Sequence, residues 1–252
     1  MSDLKVAIIQ THLYWENIED NLNHFESKLS AIESADIIVL PETFSTGFSM
    51  KPELYAQESK DKTTSWLLHW AKTKNAAIAG SVMLVDQGKY YNQLLFVEPD
   101  GTIHRYNKRH LFTMGEENKH YSAGNEKVIV QYKGFKICLQ ICYDLRFPVF
   151  VRNKEKYDVI LYVANWPAVR DYIWRNLLIS RAIENQCYVI ACNRIGEDGN
   201  QVNHIGNSGW INYLGQEHFT TNEDCVIELT LNTNELMSFR NQFPVLNDMD
   251  EF

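Results

Sequence analysis

The sequence predicts an α/β protein built as a four-layer α-β-β-α sandwich, with two mixed sheets packed face to face and helices outside. Three observations carry this. Apolar runs of strand length alternate with segments of helical apolar spacing along the 252 residues. Some neighbouring strands are joined by short turns, so the sheets are mixed rather than purely parallel. The fully apolar strands are also too many for one sheet with a solvated face; two stacked sheets hide them.

Each element follows in order. Residues 4–10 are mostly apolar and β-branched, a strand. Residues 17–33 carry Ile18, Leu22, Phe25, Leu29 and Ile32 at helical spacing. Residues 37–40 are a short apolar strand running into Pro41. A second helix fits 64–73, with Trp66 and Trp70 on one face, and 76–84 reads as a buried strand. Residues 91–98 and 102–106 flank Pro99-Asp100-Gly101, a turn signature, and form a hairpin. Strands at 127–132 and 135–141 surround Lys133-Gly134, and 159–164 is another. Residues 170–185 form a long helix, densely apolar, and 187–193 the strand after it. Strands at 208–213 and 226–231 close the set, with a last helix starting near Asn234. No linker, repeat or low-complexity tract interrupts the chain, so residues 1–252 read as one domain.

Composition narrows the function. Apolar residues make up 45% and charged residues 22%, a globular balance. A net charge of −8 argues against nucleic acid as a partner. The five cysteines include no C-x-x-C pair and lie mostly in strand-like runs, which fits free thiols in a reducing compartment. The first residues enter a strand rather than a signal sequence, and no apolar run spans a bilayer. A cytoplasmic protein without a membrane partner is expected. The eight histidines show no H-x-x-x-H or H-E-x-x-H spacing, and no Gly-rich phosphate loop appears, so neither metal nor cofactor is expected.

Three positions invite chemistry. Glu42 follows an apolar strand by one proline, at the kind of rim where rigid elements fix catalytic groups. Lys108 follows the second hairpin strand, where an ammonium could hold a developing oxyanion. Cys142 ends the strand at 135–141, beside Asp144 and Arg146 where the chain turns; a nucleophile at such an elbow is exposed beside a backbone N–H. Taken singly, each has an ordinary reading: a solvated loop acid, a surface cation, a buried thiol.

Together the three segments resemble the nitrilase superfamily of carbon–nitrogen hydrolases. Leu40-Pro41-Glu42-Thr43-Phe44 resembles its glutamate motif, Asn107-Lys108-Arg109-His110-Leu111-Phe112 its lysine motif, and Ile141-Cys142-Tyr143-Asp144-Leu145-Arg146-Phe147-Pro148 its nucleophile motif. Order and spacing match over nearly the whole chain. The resemblance implies a Glu42–Lys108–Cys142 triad and a second active-site glutamate after the lysine motif. Glu117 has the better offset to the Tyr121-Ser122-Ala123-Gly124 turn, with Glu116 as the adjacent alternative. Asn165-Trp166-Pro167 and residues 181–186 resemble the omega-amidase branch, whose members deaminate 2-oxoglutaramate and 2-oxosuccinamate.

The expected chemistry is hydrolysis of the terminal amide of a small oxo-acid amide to acid plus ammonia through a Cys142 thioester. Glu42 would serve as base, Lys108 and the backbone N–H of Tyr143 as oxyanion donors, and Glu117 as the group that orients Lys108 and the amide. An arginine would hold the far carboxylate: Arg146, Arg170 and Arg175 are candidates, with Phe44, Phe48 and Trp166 as pocket walls. Two other readings stand beside this one. An N-carbamoyl amidohydrolase would share the triad; a non-catalytic scaffold would need none of the three residues. The resemblance further implies a homodimer, with the helix face at 172–183 available as an interface.

Overall fold

The computed structural model describes residues 3–250. In chain order the elements are β1 (Asp3–Gln10), α1 (Ile18–Ala31), β2 (Ile37–Val39), α2 (Pro52–Glu58), α3 (Thr64–Lys74), β3 (Ala77–Asp86), β4 (Lys89–Val97), β5 (Ile103–Asn107) and α4 (Glu117–His120). There follow β6 (Ile129–Tyr132), β7 (Phe135–Ile141), α5 (Pro148–Val151), β8 (Val159–Ala164), α6 (Asp171–Asn185), β9 (Tyr188–Asn193), β10 (Ile195–Glu197), β11 (Asn203–Ile211), β12 (Glu217–Thr221), β13 (Cys225–Asn232) and α7 (Thr233–Gln242).

Among the described residues one sheet runs β13-β1-β2-β3-β4-β5, and the other β10-β11-β9-β8-β7-β6 with β12 paired to β11. Both are mixed. β1, β2 and β3 are parallel, as are β7, β8 and β9, while the flanking pairs are antiparallel. The layers follow from period-two alternation. Val6 and Ile8 of β1 and Leu161 and Val163 of β8 fill one core between the sheets. Ala7 and Ile9 face outward onto α1 and α3, whose Phe25, Leu29 and Leu67 complete a second core. Ile160 and Tyr162 face the other way, onto Trp174, Leu178 and Ala182 of α6. The four-layer sandwich is therefore present.

The helix at α1 starts where the sequence places it because Asn17 caps it, its side chain accepting from the Asp20 N–H. The structure also contains elements the sequence reading passed over. α2 begins at Pro52 and runs through a π-helical turn, Ser59–Thr63, into α3. β10 and β12 are short and largely solvent-facing, so they carry no apolar alternation to read.

This topology sets up the site. β5 lies antiparallel to β4, and β4 to β3, so β5 points the same way as β2 and β3. The residues following β2, β5, β7 and β8 emerge together at the carboxyl ends of their strands, the usual place for a ligand in a sheet protein.

Candidate active site

Glu42 stands just past β2 and is fully buried. The chain is held there by Leu40 N–H donating to Ala79 O at 2.7 Å and Thr43 N–H donating to Ser81 Oγ at 2.8 Å. Gly80 makes that approach possible: a Cβ on it would lie 3.0 Å from both Leu40 Cβ and Phe44 Cδ1. Thr43 takes a positive φ of 43°, which turns the chain sharply.

Lys108 follows β5 and is 1% exposed. Its Nζ donates to Glu42 Oε1 at 2.9 Å and to Glu117 Oε1 at 3.0 Å, and lies 4.8 Å from the centre of the Phe48 ring. Glu117 opens α4 and is also fully buried, its Oε2 accepting from the Phe112 N–H at 2.6 Å. Glu116 instead points to solvent and pairs with Lys119, so the site takes Glu117 of the two.

Cys142 follows β7, is partly exposed, and sits at a φ of +44°. A non-glycine residue in that region stores of order 1–3 kcal/mol of strain, which surrounding contacts must hold. Asp144 supplies them. Fully buried, its Oδ2 accepts from the Ile141 N–H at 3.0 Å and the Tyr106 hydroxyl at 2.8 Å. Its Oδ1 accepts from the His110 N–H at 2.9 Å. One carboxylate thus clamps the cysteine elbow to the segment after Lys108.

Two asparagines complete the cluster, and the sequence reading had not assigned them a place in it. Asn92 of β4 donates from Nδ2 to Glu42 Oε1 at 2.8 Å and to Glu117 Oε1 at 3.4 Å. The Asn165 backbone N–H donates to Glu42 Oε2 at 2.8 Å, and its Nδ2 donates to Glu42 O at 2.6 Å. Asn92 is a polar interruption inside a buried strand and Asn165 is the first residue past one, and a buried polar side chain there is the one signal that could have flagged them.

The electrostatics follow from burial. Desolvation first, then the Glu42 carboxylate, push the Cys142 thiol well above its usual range, against the pull of Lys108 and the Asn165 N–H. Burial would lower the Lys108 ammonium, but Glu117 and Glu42 together drive it up. Burial raises Glu117, and nearby Glu42 adds to that while Lys108 opposes it.

Cys142 and Lys108 lie in the wall of a cavity of about 570 Å³. Phe48, Tyr143, Arg146, Trp166 and Arg170 also line it. The Arg146 guanidinium lies 5.1 Å from the centre of the Trp166 ring and that of Arg170 lies 5.4 Å from Phe112. One expected wall residue, Phe44, and one candidate for the carboxylate, Arg175, are elsewhere. Phe44 is fully buried in the core under α1 and α3, 5.4 Å from Phe25 and 5.8 Å from Trp66, because the turn at Thr43 sends it back beneath the sheet. Arg175, one turn into α6, pairs with Glu217 at 2.6 Å and lies over the Phe219 ring, away from the cavity.

A strand-end elbow cysteine beside a buried glutamate–lysine–glutamate cluster is the arrangement of a hydrolase acting on carbon–nitrogen bonds. Residues 5–221 match the carbon-nitrogen hydrolase family, and the chain belongs to it. Among its relatives, the omega-amidase YafV of Escherichia coli K12 is 45% identical over 254 residues, spanning 100% of this chain and 99% of that protein. The 2-oxoglutaramate amidase of Bacillus subtilis strain 168 is 34% identical over 85% of each chain. A CN-hydrolase superfamily protein of Xanthomonas campestris, with an arsenic adduct in its active site, superposes with a TM-score of 0.97 at 40% identity over 100% of this chain and 99% of that one.

Proposed function

We propose that the protein is an omega-amidase, hydrolysing the terminal amide of 2-oxoglutaramate or 2-oxosuccinamate to acid plus ammonia. The observation that carries this is the junction of two features in one cavity: Cys142 and Lys108 of the buried cluster, and the guanidiniums of Arg146 and Arg170 on its wall. The cluster suits amide chemistry; the guanidiniums suit a substrate that ends in a carboxylate. Full-length similarity to an omega-amidase supports the same reading.

Cys142 rests as a thiol, since burial and Glu42 hold its proton on. Deprotonation is therefore coupled to attack. Glu42 takes the proton as Sγ bonds to the amide carbon, and the carbonyl electrons move to oxygen. That oxyanion faces the Lys108 ammonium and the Tyr143 N–H. Glu42 passes its proton to the nitrogen, the C–N bond breaks, and ammonia leaves a thioester. Glu42 then takes a proton from water, whose oxygen attacks the thioester carbon. Collapse expels the sulfur, which recovers the proton. Glu117 keeps Lys108 in place throughout. The protein works as a homodimer in the same proposal.

The test is ammonia release from 2-oxoglutaramate, 2-oxosuccinamate, glutamine and a carbamoyl amine by the wild type and by Cys142→Ala. The expected result is release from the oxo-acid amides by the wild type only, with the variant folded by circular dichroism. Release from the carbamoyl amine instead would keep the cluster and discard the omega-amidase reading. Undiminished turnover by Cys142→Ala would overturn the nucleophile.

A further inference from the structure

Away from the cavity, three elements bring metal-ligating side chains to one point. His12 lies in the segment after β1, His24 on α1, and Asp224 just before β13. One donor atom from each lies within 4.8 Å of the others, and the two imidazole rings are 4.4 Å apart. None of the three lines the catalytic cavity. Spacing could not reveal the cluster, because its members are 12 and 200 residues apart and meet only in the fold.

We infer that His12, His24 and Asp224 form a binding site for a divalent cation of the Zn²⁺ class, separate from the catalytic centre.

The donor set, two imidazoles and one carboxylate, suits Zn²⁺, Ni²⁺ or Cu²⁺ rather than Mg²⁺ or Ca²⁺, which favour oxygen. The carboxylate divides its two oxygens. Oδ1 takes the Lys28 ammonium at 2.5 Å, while Oδ2 faces His12 Nδ1 at 3.9 Å. Lys28 therefore steers the carboxylate and leaves one oxygen toward the imidazoles. The Thr11 hydroxyl lies 2.6 Å from His24 Nε2 and also hydrogen-bonds Asp224, tying two of the three residues together. Oxygen partners of this kind orient the ligands of metal sites. Ligands about 2.0–2.2 Å from a tetrahedral ion stand about 3.3–3.6 Å apart, so closure needs side-chain shifts of about 1 Å.

Such an ion would join the ends of β1 and β13 to α1. It would also sit beneath the hairpin that leads to the cavity wall, since a Cβ on Gly196 of β10 would lie 3.6 Å from His12 Cβ. The role assigned is a structural clamp.

The partly exposed thiols of Cys142 and Cys225 would bind Zn²⁺ on their own account, so the experiment uses the full chain carrying Cys142→Ala and Cys225→Ser. Zn²⁺ alone is titrated by calorimetry, and Co²⁺ by its visible spectrum. The expected result is one ion per chain, four- or five-coordinate Co²⁺ bands without sulfur charge transfer, and a raised Tm with Zn²⁺. Asp224→Asn, which keeps the side chain's shape, and His24→Ala should each weaken binding by about tenfold or more. Absence of binding, or an affinity unchanged in both variants, would overturn the site. Should His24→Ala fail to fold, Asp224→Asn decides alone.

Discussion

At the scale of the residue, the decisive feature is an imbalance of buried charge. One ammonium faces two carboxylates, Glu42 and Glu117, each fully buried. Removing one member of a buried ion pair commonly costs ~3–5 kcal/mol, because the survivor is left uncompensated. Glu117→Gln is gentler here: it keeps the acceptor for the Phe112 N–H and leaves Lys108 with Glu42. We therefore expect the variant to fold, with kcat reduced about 10²-fold or more as Lys108 loses its second anchor. Steady-state kinetics beside a thermal melt would show this; unchanged kcat would mean that Glu117 serves only the fold. Glu42, Lys108 and Cys142 were legible because each lies just past a readable strand, in a motif of fixed order. Asn92 and Asn165 were not, since an asparagine in a strand or just past one has no spacing rule, and only the fold shows which carboxylate it meets. Phe44 and Arg175 were misplaced for a related reason: a left-handed turn and a helical rotation decide their direction, and sequence proximity to the site does not.

At the scale of the element, the hairpin from β10 to β11 forms part of the cavity wall, with Asp198 and His204 among the lining residues. It is pinned from inside by two buried basic side chains. Arg194 is fully buried and donates from Nε to Ile195 O at 3.1 Å and from Nη2 to Glu197 O at 2.9 Å. Burial lowers its guanidinium to about 10. His204 lies 3.2 Å by Nδ1 from Gly196 O, and burial followed by the Arg194 charge pushes its imidazole from 6.5 down to about 4. The folded protein thus refuses a proton that the unfolded chain accepts between about pH 6.5 and pH 4. More protons bound in the unfolded state means stability that falls as pH falls through that window, by at most about 3 kcal/mol from this group. His204→Gln should flatten that part of the slope. Urea denaturation of both proteins at several pH values gives the difference, and parallel slopes would refute the assignment. Of this hairpin the sequence shows only the later part of β11, read as 208–213; β10 and the start of β11 carry glycine and polar residues where apolar alternation was sought. The long strands β1, β7 and β8 were read correctly, since burial on both faces leaves a nearly continuous apolar run.

At the scale of the whole molecule, α6 has more apolar surface than one core can use. Trp174, Leu178 and Ala182 face the sheet and are fully buried. Tyr172 and Ile183 stand eleven residues apart, about three turns, so they share the opposite face, where they are 80% and 51% exposed. Val169, a wall residue of the cavity, is 87% exposed just ahead of this helix. A solvent-facing stripe of large apolar residues on a rigid helix is the ordinary mark of an interface, and a two-fold axis would let the stripe pack on its own copy. Multi-angle light scattering should therefore give about twice the 29.4 kDa chain mass. Tyr172→Asp combined with Ile183→Asp places a charge at each end of the stripe and should yield the monomer, with circular dichroism unchanged because neither side chain enters the core. A wild type that stays monomeric at micromolar concentration would reject the dimer. A dimer that survives both aspartates would move its interface off α6, toward another exposed apolar group such as Val149 on α5.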